Sequence, residues 1–222
     1  METLFYAIVN RDKANAVWHK AQECGATEGT IFLAEGTVRS KLLEKMGLTE
    51  THKAILMISA TCELCDTLHE LVSETFKFSE RNKGIAFSVP FRRWRKPDSG
   101  QQDSPQKNII NAEYYCIMTI VDKGRSKDCL KAARAAGAKG GTLIHGRGAG
   151  IPTEYYYPLV IEPQKDIVMI VAAKDKADAI RDRISCELEL EKTGNGIIFT
   201  LPVLRTCGLT ENKSEERKGV AS

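Results

Sequence analysis

Residues 25–36, GATEGTIFLAEG, return 112 positions later as residues 137–148, GAKGGTLIHGRG. Gly25-Ala26, Gly29-Thr30 and Gly36 fall on Gly137-Ala138, Gly141-Thr142 and Gly148 with no gap. The same offset carries Ile8-Val9 onto Ile120-Val121, Lys53 onto Lys165 and Met57-Ile58 onto Met169-Ile170. At the far end Gly84-Ile85, Phe87, Pro90 and Arg93 meet Gly196-Ile197, Phe199, Pro202 and Arg205. One ungapped register thus holds over roughly ninety residues with about twenty identities, the signature of an internal repeat. The expected organisation is a first repeat over 1–94, a Pro-, Gln- and Ser-rich linker over 95–112, a second repeat over 113–209 and a polar tail over 210–222.

Periodicity orders the elements within each repeat. Tyr115 to Val121 is a β-prone run. Ser126 is placed to cap a helix whose apolar positions Cys129, Leu130, Ala133 and Ala136 recur three and four residues apart, and Gly137 supplies the stop. In the first repeat Val17, Trp18, Ala21 and Cys24 hold the same face, and Gly25 ends it. A strand around Thr142 to His145 leads through a loop to a strand at Ile167 to Ala172, matched by Ile55 to Ala60. A second helix buries Ala177, Ile180, Ile184 and Leu188, or Cys65, Leu68, Val72 and Phe76, and a last strand follows at Ile197 to Leu201 or Ile85 to Val89. The order β-α-β-β-α-β is the split βαβ, ferredoxin-like arrangement of an α+β protein, a four-stranded antiparallel sheet with both helices on one face. Strands such as Ile167-Val168-Met169-Ile170-Val171 are apolar on both faces, so the face without helices must be covered by another copy of the fold, and an oligomer is expected.

Composition bounds the function. The 222 residues are 42% hydrophobic and 27% charged, with a net charge of +3, too balanced to point to nucleic acid or a membrane surface. No apolar run approaches the roughly twenty residues of a membrane span. The N-terminal METLFYAIVNRD lacks the features of a signal peptide, so a cytoplasmic location is expected. Seven cysteines, an odd number, then read as reduced thiols. Cys62 and Cys65 form a C-x-x-C, but Cys65 aligns with Ala177 on the core face and no second pair completes a tetrahedral site; both read as core cysteines and no metal is expected. His145 stands beside Gly146-Arg147-Gly148 without a visible partner for a dyad or triad, and no catalytic residue is assigned. Arg92-Arg93-Trp94-Arg95 is too small a basic cluster to carry nucleic-acid binding.

Two stretches are more specific. Lys192-Thr193-Gly194-Asn195-Gly196-Ile197-Ile198-Phe199 is a glycine turn opening a strand, and Gly141-Thr142 to Gly148-Ala149-Gly150 is a strand opening a loop. In a split βαβ unit these resemble the nitrogen regulatory P-II signalling protein family, the first its phosphate-facing B-loop and final strand, the second its second strand entering the T-loop. The resemblance implies a ferredoxin-like module in trimer-like packing, with adenine nucleotide (AMP, ADP or ATP), joined by a small carboxylate such as 2-oxoglutarate, in clefts between lobes. It also implies a T-loop that regulates a partner transporter or enzyme. Carried over residue by residue, it singles out Gly148, Gly150, Thr193, Gly194, Asn195, Gly196 and Arg205 in the second repeat and Gly36, Arg39, Gly84 and Arg93 in the first.

The chain also departs from the family. The lysine that follows the last B-loop glycine is replaced by Ile197 and Ile85, which favours a mono- or diphosphate over ATP. Arg81-Asn82 stands in place of Thr193-Gly194 in the first repeat, and Ile151 in place of Arg39 in the second. These complementary losses suggest a composite site joining Gly194 and Gly196 to Arg93 of the other repeat. Tyr155-Tyr156-Tyr157 lies in the T-loop region without marking a modification site. The alternative is a metal-handling or structural trimer of the same fold, of the divalent-cation tolerance type, without nucleotide function.

Overall fold

The computed structural model describes residues 2–37, 51–80, 82–91, 112–147 and 164–209. The first half runs β1 (Glu2–Asn10), a 3-10 turn (Arg11–Lys13), α1 (Ala14–Glu23), β2 (Gly29–Gly36), β3 (Thr51–Thr61), α2 (Cys62–Glu74) and β4 (Ile85–Phe91). The second runs β5 (Tyr114–Asp122), α3 (Ser126–Ala135), β6 (Thr142–Arg147), β7 (Gln164–Ala173), α4 (Lys174–Glu187), β8 (Ile197–Val203) and a short β9 (Arg205–Cys207). The fold is α+β, and the pairings are antiparallel. Strand order is β2-β3-β1-β4 in the first half and β6-β7-β5-β8 in the second, so the two halves have the same topology.

Local signals explain the elements. Gly25 and Gly137 end α1 and α3 at φ +102° and +98°, where a side chain would be strained. Thr61 caps α2, its hydroxyl accepting from the Leu64 amide at 3.3 Å. Ser126 is not the cap that the spacing predicts. It is the first residue of α3, and its hydroxyl donates instead to the Asp166 carboxylate. A charged acceptor within reach outcompetes a backbone amide.

Alternation along the strands divides each sheet into two faces. Phe5, Ala7 and Val9 of β1, with Leu56 and Ile58 of β3, pack under α1 and α2 against Val17, Leu68 and Val72. Ile117, Val121, Val168 and Ile170 pack under α3 and α4 against Cys129, Ile180 and Ile184. The opposite faces meet each other. Ile8, Ile55, Phe87 and Val89 of the first half form a third core with Cys116, Met169 and Val203 of the second. The Tyr6 and Phe87 rings stack within it at 4.9 Å. The apolar face of each half is therefore covered by the other half of the same chain, and the two-faced strands do not in themselves require a second chain.

The two sheets are also joined through their edges. Ala34, Glu35 and Gly36 of β2 lie opposite Ile144, Leu143 and Thr142 of β6. β9, which the periodicity did not reveal, crosses back to pair with Ala86 to Ser88 of β4. A nine-stranded sheet, β8-β5-β7-β6-β2-β3-β1-β4-β9, results. Apart from Ala112, the expected linker lies outside the described residues, as do the tail and Tyr155 to Tyr157.

Candidate ligand cleft between the two halves

The turn that follows α3 brings Gly140 and Gly141 to the end of β2. Thr37 and Gly141 clasp each other there: the Thr37 amide and hydroxyl donate to the Gly141 carbonyl at 3.1 and 2.9 Å, and the Gly141 amide donates to the Thr37 hydroxyl oxygen at 3.0 Å. Arg134 of α3 donates to the Thr37 carbonyl at 2.6 Å. A cavity of about 210 Å³ opens beside this clasp. Gly36, Lys53, Glu80, Asn82 and Gly84 line it from the first half, and Lys139, Gly140 and Gly141 from the second. Its apolar wall is Ile8, Ile85, Met169 and Val171, again from both halves, and Gly208 and Leu209 are part of its lining.

Two of its glycines are required by their surroundings. A β-carbon on Gly36 would sit 2.7 Å from the Thr51 hydroxyl oxygen, and one on Gly84 would sit 2.5 Å from the buried ring of Phe78. Neither position can take a side chain unless a neighbour shifts. Asn82 turns the chain at φ +64°, a conformation that asparagine tolerates better than most residues. Lys53 donates to Asn10 Oδ1 at 2.6 Å, and burial lowers its pKa against a weaker opposing pull from Asp12. A partly desolvated ammonium in a cleft with the partly exposed backbone of Gly84, Gly140 and Gly141 suits an anion, and the apolar wall suits a flat ring.

The residues singled out in the sequence divide into four groups. Gly36 and Gly84 meet in this cleft, although 48 positions apart in the numbering. Thr193, Gly194, Asn195 and Gly196 form the turn between α4 and β8, away from its lining. Arg125 holds that turn by donating to the carbonyls of Asn195 and Leu188, each at 2.9 Å, while the Asn195 amide group donates to the Glu189 carbonyl at 3.0 Å. Gly196, at φ +138°, has the Ile120 carbonyl 2.5 Å from where a β-carbon would be. Arg205 on β9 donates to Asp66 Oδ1 at 2.8 Å in an exposed pair that ties the second half to α2. Arg39, Arg93, Gly148 and Gly150 lie outside the described residues, so the composite of Gly194 and Gly196 with Arg93 does too.

Sequence reasoning passed over Lys53, Asn82, Lys139 and Gly140. Lys53 and Gly141 are among the positions matched across the repeat, and that match was the available signal. His145 also has partners that the sequence hid. Its Nδ1 is 2.9 Å from Asp166 Oδ1 on the neighbouring strand, and its Nε2 is 3.5 Å from Glu35 Oε2 on β2 of the other half. Asp166, almost fully buried, also accepts from the Ser126 hydroxyl at 2.6 Å and the Gly124 amide at 3.0 Å. Burial would lower the His145 pKa, but the two carboxylates outweigh it and hold the ring above its ordinary value. Ser126 donates to the aspartate and not to the imidazole, so the cluster is no nucleophile–base pair. Among the described residues no group of three or more His, Cys, Asp or Glu is arranged to hold a metal ion, and no helix is long and apolar enough to cross a membrane.

No protein-family model matches the chain, and no curated protein matches it. Among solved structures the chain is similar to Arabidopsis thaliana PII bound to citrate, at 25% identity over 43% of this chain and 79% of that one, with a TM-score of 0.33. It is similar to Bacillus subtilis GlnK at 20% identity, over 41% of this chain and 85% of that one, with a TM-score of 0.31.

Proposed function

We propose that the chain is a ligand-responsive regulatory protein of the P-II kind and not an enzyme, built of two such lobes in tandem over 1–94 and 113–209 and working in the cytoplasm. Its ligand is an adenine nucleotide, AMP, ADP or ATP, with a small carboxylate such as 2-oxoglutarate as a second effector. The observation that carries this reading is the cleft, in which an apolar wall for a base and two lysines with glycine backbone for phosphate come from different halves. A ligand that touches both halves binds their closed arrangement better than an open one, and that difference in affinity is what a sensor needs. Gly36, which lines the cleft, leads in sequence through Thr37 into residues 38–50, so occupancy would act next to that segment. A transporter or enzyme as the regulated partner rests on the resemblance of the sequence.

The test is thermal unfolding with AMP, ADP, ATP and 2-oxoglutarate, because a ligand selective for the folded state raises the melting temperature by mass action. A nucleotide is expected to raise it, and Lys53→Gln and Lys139→Gln are each expected to weaken that nucleotide about tenfold, the loss of one charge-assisted contact. A panel without a shift, or a shift that both variants leave intact, would overturn the proposal.

A further inference from the structure

The joint between β2 and β6 carries a charged cluster that the repeat does not explain. His145 of β6, Asp166 of β7 and Ser126 of α3 stand where the first half has Leu33, Ala54 and Ala14 at the 112-residue offset. Leu33 and Ala54 face each other across β2 and β3 as His145 and Asp166 do across β6 and β7. The first half therefore forms this part of the fold with apolar side chains alone, and the topology does not require the almost fully buried Asp166. The cluster also reaches across the joint, to Glu35 of the first half.

Its contacts fix what each ring nitrogen can do. Asp166 accepts from the Ser126 hydroxyl and the Gly124 amide and lies 2.9 Å from His145 Nδ1; burial opposes its charge, but these partners outweigh burial and hold its carboxyl below the ordinary range. Nδ1 therefore carries a hydrogen whether or not the ring is charged. The other nitrogen, Nε2, lies 3.5 Å from Glu35 Oε2. With a proton there, the ring is a cation between two carboxylates, one from each half. Without it a lone pair faces a carboxylate oxygen, and attraction across the joint turns to repulsion. Of the other charged groups around the ring, Arg147 lies two residues along β6, His52 is opposite Glu35 on β3, and Lys165 is held by Asp122. Arg125 and Arg134, before and along α3, donate to main-chain carbonyls. Asp166 and Glu35 are the charges that act on the His145 ring.

The pair sits where the joint is narrow. Ala34–Ile144, Glu35–Leu143 and Gly36–Thr142 are the pairs of β2 with β6, and Gly36 and Thr142 also line the cleft. We propose that the proton on His145 is a latch between the halves: while it is bound, Glu35 is held and the β2–β6 ladder with the Thr37–Gly141 clasp stays closed, and when it leaves, that edge of the cleft opens more often. The latch depends on the contact between the halves and not on what the cleft binds. His145 is half-exposed, so water screens the pair, and the proton changes how often the joint opens without separating the shared core.

The experiment is amide hydrogen exchange by NMR on the full chain with no ligand, from about pH 5.5 to 9, with each rate divided by the intrinsic rate of that amide at that pH. The His145 ring resonances are followed in the same samples. Protection of the Thr37 and Gly141 amides, which donate across the joint, is expected to fall about two- to fivefold as His145 loses its proton, the range of an exposed ion pair. Ile58 and Ile170, paired within their own halves, are expected to keep theirs. Glu35→Gln offers the ring a partner in both charge states, and His145→Leu gives the second half the residue that the first half has, so each should remove the fall. Wild-type protection that stays flat while His145 titrates overturns the proposal, as does a fall that survives Glu35→Gln or that Ile58 and Ile170 share.

Discussion

The carbonyl oxygen of Gly84 fills the space in which Gly208 would need a side chain: a β-carbon on Gly208 would lie 2.2 Å from it. Gly84 belongs to the turn that opens β4 in the first half, and Gly208 follows β9 at the end of the second. Their approach completes a strap. β9 pairs with β4, the Thr206 hydroxyl donates to the Ala86 carbonyl at 3.2 Å, and Cys207 Sγ lies 3.1 Å from the Ser73 hydroxyl. The strap holds one wall of the cleft while the Thr37–Gly141 clasp holds another.

Gly208→Ala should therefore loosen the joint between the halves. The residue has φ +81° and meets backbone, which cannot swing aside as a side chain could. The loss in urea unfolding is expected to exceed the backbone cost alone by about 1 kcal/mol or more. Gly194→Ala is the control, since Gly194 has φ +92° and nothing within 4 Å, leaving only the backbone cost of roughly 1–2 kcal/mol. Equal losses in the two variants would mean that the contact with Gly84 contributes nothing.

The core between the halves offers a chemical readout. Burial pushes the Cys116 thiol up to about 12 and the Cys129 thiol up to about 11, so neither should react with a thiol reagent near neutral pH, whereas Cys186 is exposed and should. Cys116 lies between the halves and Cys129 under α3. Phe87→Ala, which removes a fully buried ring from the shared core, is expected to cost about 3–5 kcal/mol. It should speed labelling of Cys116 well before that of Cys129. Equal acceleration at both thiols would mean global unfolding and no separable joint.

What the sequence made legible follows from what each feature asks of side chains. The helices under each sheet need apolar residues at fixed spacing, and Ala177, Ile180, Ile184 and Leu188 are buried as their spacing predicts. Gly25 and Gly137 need a backbone that other residues resist, so the turns stood out as well. The β2–β6 and β4–β9 pairings are main-chain contacts between edges and leave no comparable pattern in composition. The cleft depends on those pairings. Gly36 and Gly84 were accessible to analogy, but Lys53 and Lys139 become neighbours of one cavity only once the halves face each other. Asp166 precedes the apolar run of β7, 21 residues after His145, and only strand register brings the two together.

His69 and His145 should give stability opposite pH dependences. His69 is buried against Phe5, with Ser88 Oγ 3.3 Å from its Nε2, and burial, helped by Arg205 and opposed by Asp66, lowers its pKa from 6.5 to about 4. In acid the unfolded chain takes up a proton that the folded chain refuses. Its contribution is therefore full above pH 6.5 and declines as the pH falls from there to about 4. The size is on the order of 3 kcal/mol. For His145 the sign reverses: its folded pKa is raised, so the folded chain holds the proton more tightly. That contribution is full below the unfolded value of 6.5 and is lost as the pH rises through the folded value. Half-exposed, it should also weaken with salt. Urea unfolding from pH 4 to 9 separates the two. His69→Leu should flatten the acid side of the profile and His145→Gln the neutral-to-alkaline side, whatever either substitution does to the absolute stability. An acid side as steep in His69→Leu as in the wild type would remove His69 from the account. An NMR titration in which Asp166→Asn leaves the His145 pKa unmoved would do the same for the carboxylate clasp.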